Sequence, residues 1–147
     1  MTGNRYELSG TTMPELFPFA EEMLGIKIDP NDILVERTDK PIAAPLRNED
    51  FCRALAERFP PTQYTFEPEA RLIHSHGQTT ADELFAVLYG ALARTVDLVF
   101  YCESEEDAVA LVKMAQSHNV CLVPYGGGTS VSGALLLPAH EPRMIVS

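Results

Sequence analysis

Residues 98–130 read LVFYCESEEDAVALVKMAQSHNVCLVPYGGGTS, and the fold is decided here. Leu98 to Cys102 is a short apolar and aromatic run, the composition of a buried strand. Ser104 with Asp107 is a helix-start pair, followed by Ala108, Val109, Leu111, Val112 and Ala115 at the spacing of a buried stripe. Asn119 suits a helix terminator, and Val120 to Val123 is a second strand. A strand, a helix of 13 residues and a strand make a β-α-β unit, so the two strands are expected to be parallel with a right-handed crossover. A third strand opens at Met144 to Val146, and the chain stops at Ser147 before it develops.

Directly after the second strand comes a glycine-rich loop, Pro124 to Gly133. Its adjacent glycines, Gly126, Gly127 and Gly128, permit positive φ and let a ligand approach the backbone closely, because no Cβ intervenes. Successive N–H groups in such a turn form a concave nest for phosphate oxygens, and Thr129, Ser130 and Ser132 add hydroxyl donors. A Walker loop is excluded because no lysine follows Gly133 or any other glycine here. A Rossmann fingerprint is excluded because Val131 stands where its third glycine belongs, and because the loop follows the second strand of the unit rather than the first. A flexible surface turn is the plain alternative. Three glycines between a buried strand and a Thr-Ser pair weigh against it.

Working outward, Thr80 with Glu83 has the form of a capping box, with Leu84, Val87, Leu88, Ala91 and Leu92 at helical spacing behind it. The first 70 residues hold most of the prolines and break into short pieces. One helix is expected from about Pro14 to Leu24, with Leu16, Phe19, Ala20, Met23 and Leu24 on one face and Gly25 as a left-handed stop. Another starts at Asn48, has Glu49 and Asp50 in its first turn, and ends before Pro60. Residues 26–47 read as irregular chain.

With 147 residues, 46% hydrophobic and 22% charged, the chain has the size and balance of one soluble domain rather than a disordered or collagen-like segment. Its formal charge of −10 argues against nucleic acid and anionic membranes as partners. No apolar run approaches the ~18 residues of a spanning helix. Three cysteines, Cys52, Cys102 and Cys121, without C-x-x-C spacing, suit a reducing compartment. No metal site is expected, since His74 and His76 lack a third ligand at useful spacing. Arg71, His74 and His76 precede a helix start and could face an anion; packing of the N-terminal segment is the reading preferred for them. His118, at a helix C-terminus, reads as structural.

Pro124 to Ser130, preceded by Ser104-Glu105-Glu106-Asp107-Ala108-Val109, resembles the diphosphate loop of FAD-binding domains of the vanillyl-alcohol oxidase (PCMH) type. Some members of that superfamily attach flavin through a histidine near the position of Gly128, so the resemblance implies non-covalent FAD here. Gly3-x-Arg5-Tyr6-x-Leu8-Ser9-Gly10, Leu24-Gly25, Asn48-Glu49-Asp50-Phe51, and Arg71 with His76-Gly77 narrow the likeness to the alkyldihydroxyacetonephosphate synthase family. The resemblance implies an α+β protein: an N-terminal helical and irregular region over 1–93, then the first β-α-β part of a truncated FAD-binding domain over 94–147.

What the resemblance implies for function is an N-terminal part of an FAD-dependent alkyl transferase of ether-lipid synthesis. Such an enzyme exchanges the acyl group of acyl-dihydroxyacetone phosphate for a fatty alcohol, in a peroxisome or glycosome. Pro124, Tyr125, Gly126, Gly127, Gly128, Thr129 and Ser130 are then the cofactor-binding residues. The family's catalytic residues are expected beyond Ser147, so none falls in this chain and the chain alone is expected to be inactive. The resemblance leaves room for a homodimer and for peripheral membrane contact. Two other readings stay open: an FAD-linked dehydrogenase of a 2-hydroxy acid such as lactate or glycolate, and a non-catalytic module presenting an unfinished sheet edge.

Overall fold

The computed structural model describes residues 7, 10–29, 31 and 42–147. The contacts divide the chain into two units, 1–35 and 36–147. In the first, α1 spans Leu16–Leu24. Pro14 precedes it and Pro18 occupies its first turn, where a missing N–H costs nothing. Gly25 ends it at φ 64°, with its N–H on Glu21 O, and the Glu21 carboxylate then accepts the N–H of Ile28 at 2.8 Å. The expected buried face of α1 is not buried: Phe19 and Met23 are 59% and 66% exposed. Of the N-terminal residues that carry the family likeness, Gly3, Arg5, Tyr6, Leu8 and Ser9 lie outside the described residues.

The second unit opens with α2, Glu49–Arg58. Asn48 Oδ1 accepts the N–H of Phe51 at 3.0 Å, the N-cap geometry, and Asn48 Nδ2 donates to His118 O at 2.8 Å. One asparagine thus starts α2 and ties it to a distant turn. A short 3-10 turn, Pro61–Gln63, leads into β1 (Tyr64–Thr65), α3 (Pro68–Ile73) and α4 (Ala81–Tyr89). Then follow β2 (Val99–Phe100), α5 (Glu105–Ser117), β3 (Cys121–Leu122) and β4 (Ile145–Val146). Ser104 caps α5 by accepting the Asp107 N–H at 3.1 Å, and Asn119 ends it with φ 54°.

The strand neighbours differ from the simple β-α-β expectation. β2 pairs antiparallel with β1, with Tyr64 opposite Phe100, while β3 pairs parallel with β4, with Cys121 opposite Ile145. A parallel bridge joins Leu98 to Val146, and Phe100 N–H donates to Ser147 O while Ser147 N–H donates to Leu98 O. β4 therefore lies between β2 and β3, which run parallel to each other but are not adjacent. The strand returning from the glycine loop takes the central place because both of its edges find partners there.

β2 and β4 are buried on both faces, which explains their unbroken apolar runs, while β1 and β3 are half-buried. Leu98, Phe100, Val120 and Val146 face α2 and α5, packing with Phe51, Leu55 and Leu111. Val99 and Ile145, one residue out of phase, pack with Val96 on the other side, against Ala70 of α3. Phe51 and Leu55 are fully buried, each contributing about 1.5–3 kcal/mol. Only part of the expected α5 stripe is covered: Leu111 and Ala115 are buried, whereas Val109 and Val112 are 46% and 55% exposed. On α4, Leu84 is exposed and the buried residue is Glu83.

Beneath the sheet lies a charge network that sequence reading had not identified. Asp97 is fully buried and accepts the N–H groups of Leu46 and Ile145, both at 2.8 Å. Arg94 reaches both of its carboxylate oxygens, so the buried charge is paired and fully hydrogen-bonded. Arg71, 1% exposed, donates to Val96 O, Ala43 O and Thr95 Oγ1.

Candidate cofactor-binding site

β3 ends where Pro124 can no longer donate to the ladder; the Val123 N–H, on Val146 O, makes the last bond. The loop that follows has left-handed backbone at Gly128 (φ 70°), Ser130 (φ 47°) and Gly133 (φ 73°). Of the three adjacent glycines, Gly128 alone has positive φ. Gly128 has a left-handed backbone that favours glycine, and a Cβ there would also have to displace the Tyr125 hydroxyl. At Gly126 and Gly127 a Cβ would meet nothing within 4 Å. No packing among the described residues accounts for those two glycines; close approach of a ligand to bare backbone would.

The loop's carbonyls are tied back to the segment before α4. Gly128 O accepts the N–H of Gln78 at 2.9 Å, and Thr129 O accepts the hydroxyl of Thr79. All peptides described are trans, so each N–H points away from the carbonyl of its own peptide unit. The N–H groups of Thr129 and Ser130 are thereby turned to the side of the loop opposite Gln78 and Thr79. Among the described residues, no N–H from Gly126 to Ser130 finds a hydrogen-bond partner. A run of unpartnered amides is the donor set that phosphate oxygens satisfy.

Ser130 is nearly buried, and its Oγ accepts the N–H of Leu135 at 3.0 Å, which leaves its own proton available. Its Cβ lies 2.6 Å from where a Cβ on Gly77 would stand, so Gly77 is the floor on which the loop rests. The Gly77 N–H in turn donates to Glu83 Oε1 at 2.9 Å, while Glu83 Oε2 accepts from Thr80 Oγ1 at 2.5 Å. The expected capping box is rewired: Glu83 reaches past the cap to Gly77 and ties α4 to the residue beneath the loop. The Thr80 hydroxyl, then the Gly77 N–H, hold its carboxyl below the ordinary carboxylate value.

Beside the loop, a cleft of about 580 Å³ opens at the carboxyl ends of β2, β3 and β4, bordered by Tyr101, Cys102, Leu122, Tyr125 and Ser147. Crevices at the carboxyl ends of parallel strands are where open α/β sheets take ligands. His74 lines it too, stacked on Tyr125 with ring centroids 4.2 Å apart, and burial pushes its imidazole toward the neutral form.

The other candidates do not line this cleft. Arg71 is occupied by backbone carbonyls, as the packing reading expected; His76 Nδ1 lies 2.7 Å from Gly77 O; His118 Nδ1 contacts Met114 O at the end of α5. Gln78 and Thr79 escaped the sequence reading. Their only local signal was Gly77 beside the Thr80 cap, since what they bind lies about 50 residues away.

Residues 96–146, from just before β2 through the glycine loop to β4, match the family described as FAD binding domain. Over 146 residues the chain is 36% identical to the alkyldihydroxyacetonephosphate synthase of Caenorhabditis elegans, covering 99% of this chain and 24% of that protein. It is 32% identical to the synthase of Trypanosoma brucei brucei, covering 95% of this chain and 24% of that one. A solved structure of an alkyldihydroxyacetonephosphate synthase superposes with a TM-score of 0.74 at 27% identity, over 91% of this chain and 24% of that chain. Sequence and fold agree: nearly all of this chain is similar to part of such a synthase, and it spans about a quarter of the length of the curated relatives it matches.

Proposed function

We propose that this chain is the portion of an alkyldihydroxyacetonephosphate synthase that grips the diphosphate of FAD. The observation that carries the reading is the arc of N–H groups from Gly126 to Ser130, unpartnered among the described residues, with two glycines that no contact among those residues requires. A diphosphate supplies acceptors to such an arc, and screening over ~8 Å at physiological salt lets a local nest hold it on a chain of net charge −10. Pro124, Tyr125, Gly126, Gly127, Gly128, Thr129 and Ser130 form the binding segment. Gly126 and Gly127 act through backbone N–H, Thr129 adds a hydroxyl, and Ser130 holds the loop's frame. Gly128 has no side chain to tether a flavin, so FAD is held non-covalently here. The flavin-binding portion begins at residue 94, and residues 1–93 form the N-terminal helical region that precedes it in the chain.

The whole protein exchanges the acyl group of acyl-dihydroxyacetone phosphate for a fatty alcohol. Bound flavin supplies the reactive ring for this exchange, with no net oxidation. This chain's own residues orient the cofactor and hold its charge in place. Residence in a peroxisome or glycosome, assembly as a homodimer and peripheral membrane contact belong to the same proposal. The test uses the full-length protein. Labelled fatty alcohol is expected to enter an ether lipid when acyl-dihydroxyacetone phosphate is supplied, with no dye reduced by lactate or glycolate. Dye reduction by a 2-hydroxy acid without alcohol incorporation would move the assignment to a dehydrogenase.

A further inference from the structure

We propose that His74 is a positioning residue for the glycine loop, acting through the ring of Tyr125: their stack sets where Gly128 sits and hence where the loop's N–H groups point. The two rings lie 4.2 Å apart at 25°. The far end of the Tyr125 ring lies directly beneath Gly128, leaving no room there for a Cβ. Gln78 reaches the same place twice, with its N–H on Gly128 O at 2.9 Å and its Nε2 on Tyr125 Oη through a long contact of 3.4 Å.

His74 is itself held from two sides. Its Nδ1 lies 3.0 Å from Ser147 Oγ, just past β4, and its ring meets Tyr101 edge-on at 6.0 Å. A continuous set of contacts therefore runs from the sheet through His74 and Tyr125 to Gly128. It matters because, among the described residues, no N–H from Gly126 to Ser130 is itself hydrogen-bonded, so these amides are aimed only through the loop's carbonyls and side chains. Holding its amides in place beforehand removes an ordering cost from binding. His74 lies well before residue 96, where the FAD-binding family match begins. A residue outside the matched segment thus shapes the loop inside it.

This inference rests on the FAD reading for its consequence but not for its geometry, and the test separates the two. In the full-length protein freed of flavin, hydrogen exchange at the amides of Gln78 and Leu135 reports the loop, which holds them through Gly128 O and Ser130 Oγ. His74→Ala is expected to speed exchange at both amides and to weaken FAD binding roughly two- to tenfold, the range an aromatic pair is worth. His74→Phe, which keeps a stacking ring, is expected to restore both. Unchanged exchange in His74→Ala, or failure of His74→Phe to restore it, overturns the positioning role. Faster exchange in a protein whose wild type takes up no FAD sustains the positioning role and overturns the cofactor assignment instead.

Discussion

A methyl group added at Gly128 would run into Tyr125 Oη on a backbone at φ 70°, whereas one added at Gly127 would meet no atom of the described residues within 4 Å. The two substitutions therefore separate loop folding from ligand contact. Gly128→Ala must bear a left-handed Cβ, costing about 1–2 kcal/mol, and must also displace the tyrosine. It is expected to lower the urea midpoint and to weaken FAD together. Gly127→Val changes an open, exposed position, so stability should stay within about 0.5 kcal/mol of wild type. Its branched side chain fills the space where a diphosphate would approach, and FAD affinity is expected to fall at least about tenfold, the effect of about 1.4 kcal/mol. Paired urea unfolding and flavin titration of the full-length variants check both. Wild-type FAD affinity in Gly127→Val would remove the loop from the cofactor site.

At the scale of elements, α4 is joined to the segment on which the glycine loop rests by the Glu83 carboxylate, which accepts from Gly77 and Thr80 together. Those bonds hold its folded pKa below the ordinary 4.5. A carboxyl with a depressed folded pKa stabilises the fold fully above its unfolded value and loses that contribution as pH falls through the folded one. Glu83→Gln is accordingly expected to be less stable than wild type at pH 7, by about 1.5–3 kcal/mol on the scale of hydrogen bonds to charged groups. The gap should narrow below pH 4.5, and urea midpoints from pH 7 to pH 3 measure it. A gap independent of pH would mean that lost packing, rather than the charged carboxylate, made the difference.

At the scale of the molecule, the chain matches about a quarter of the synthases it resembles. Several apolar side chains around the loop and along α5 remain uncovered: Val131 is 80% exposed, Leu136 67% and Val112 55%. A cofactor site needs several walls to offset the freedom lost on binding. Residues 1–147 alone are therefore expected to take up FAD far more weakly than the full-length protein. Equilibrium dialysis of the two, side by side, checks it. Stoichiometric flavin carried through purification of the 147-residue chain would show that this loop and cleft suffice by themselves.

What the sequence determined by itself was set within a few residues of where it was read. Ser104 and Asn119 bound α5, Asn48 starts α2, and Gly25 stops α1, because caps and left-handed stops depend on neighbours one turn away. The glycine loop was legible for the same reason, and so was the likeness of 124–130 to a diphosphate loop. Tertiary structure decided what distant residues supply. It placed β4 between β2 and β3, since strand neighbours are chosen by long-range pairing. It left Phe19, Val109 and Val112 exposed, because periodicity marks an apolar face without showing whether anything covers it. It put the positive φ at Gly128 rather than across all three glycines, and enlisted Gln78, Thr79 and His74 about 50 residues upstream. A local motif can provide unpartnered amides; only the packed chain can turn its carbonyls away and aim them.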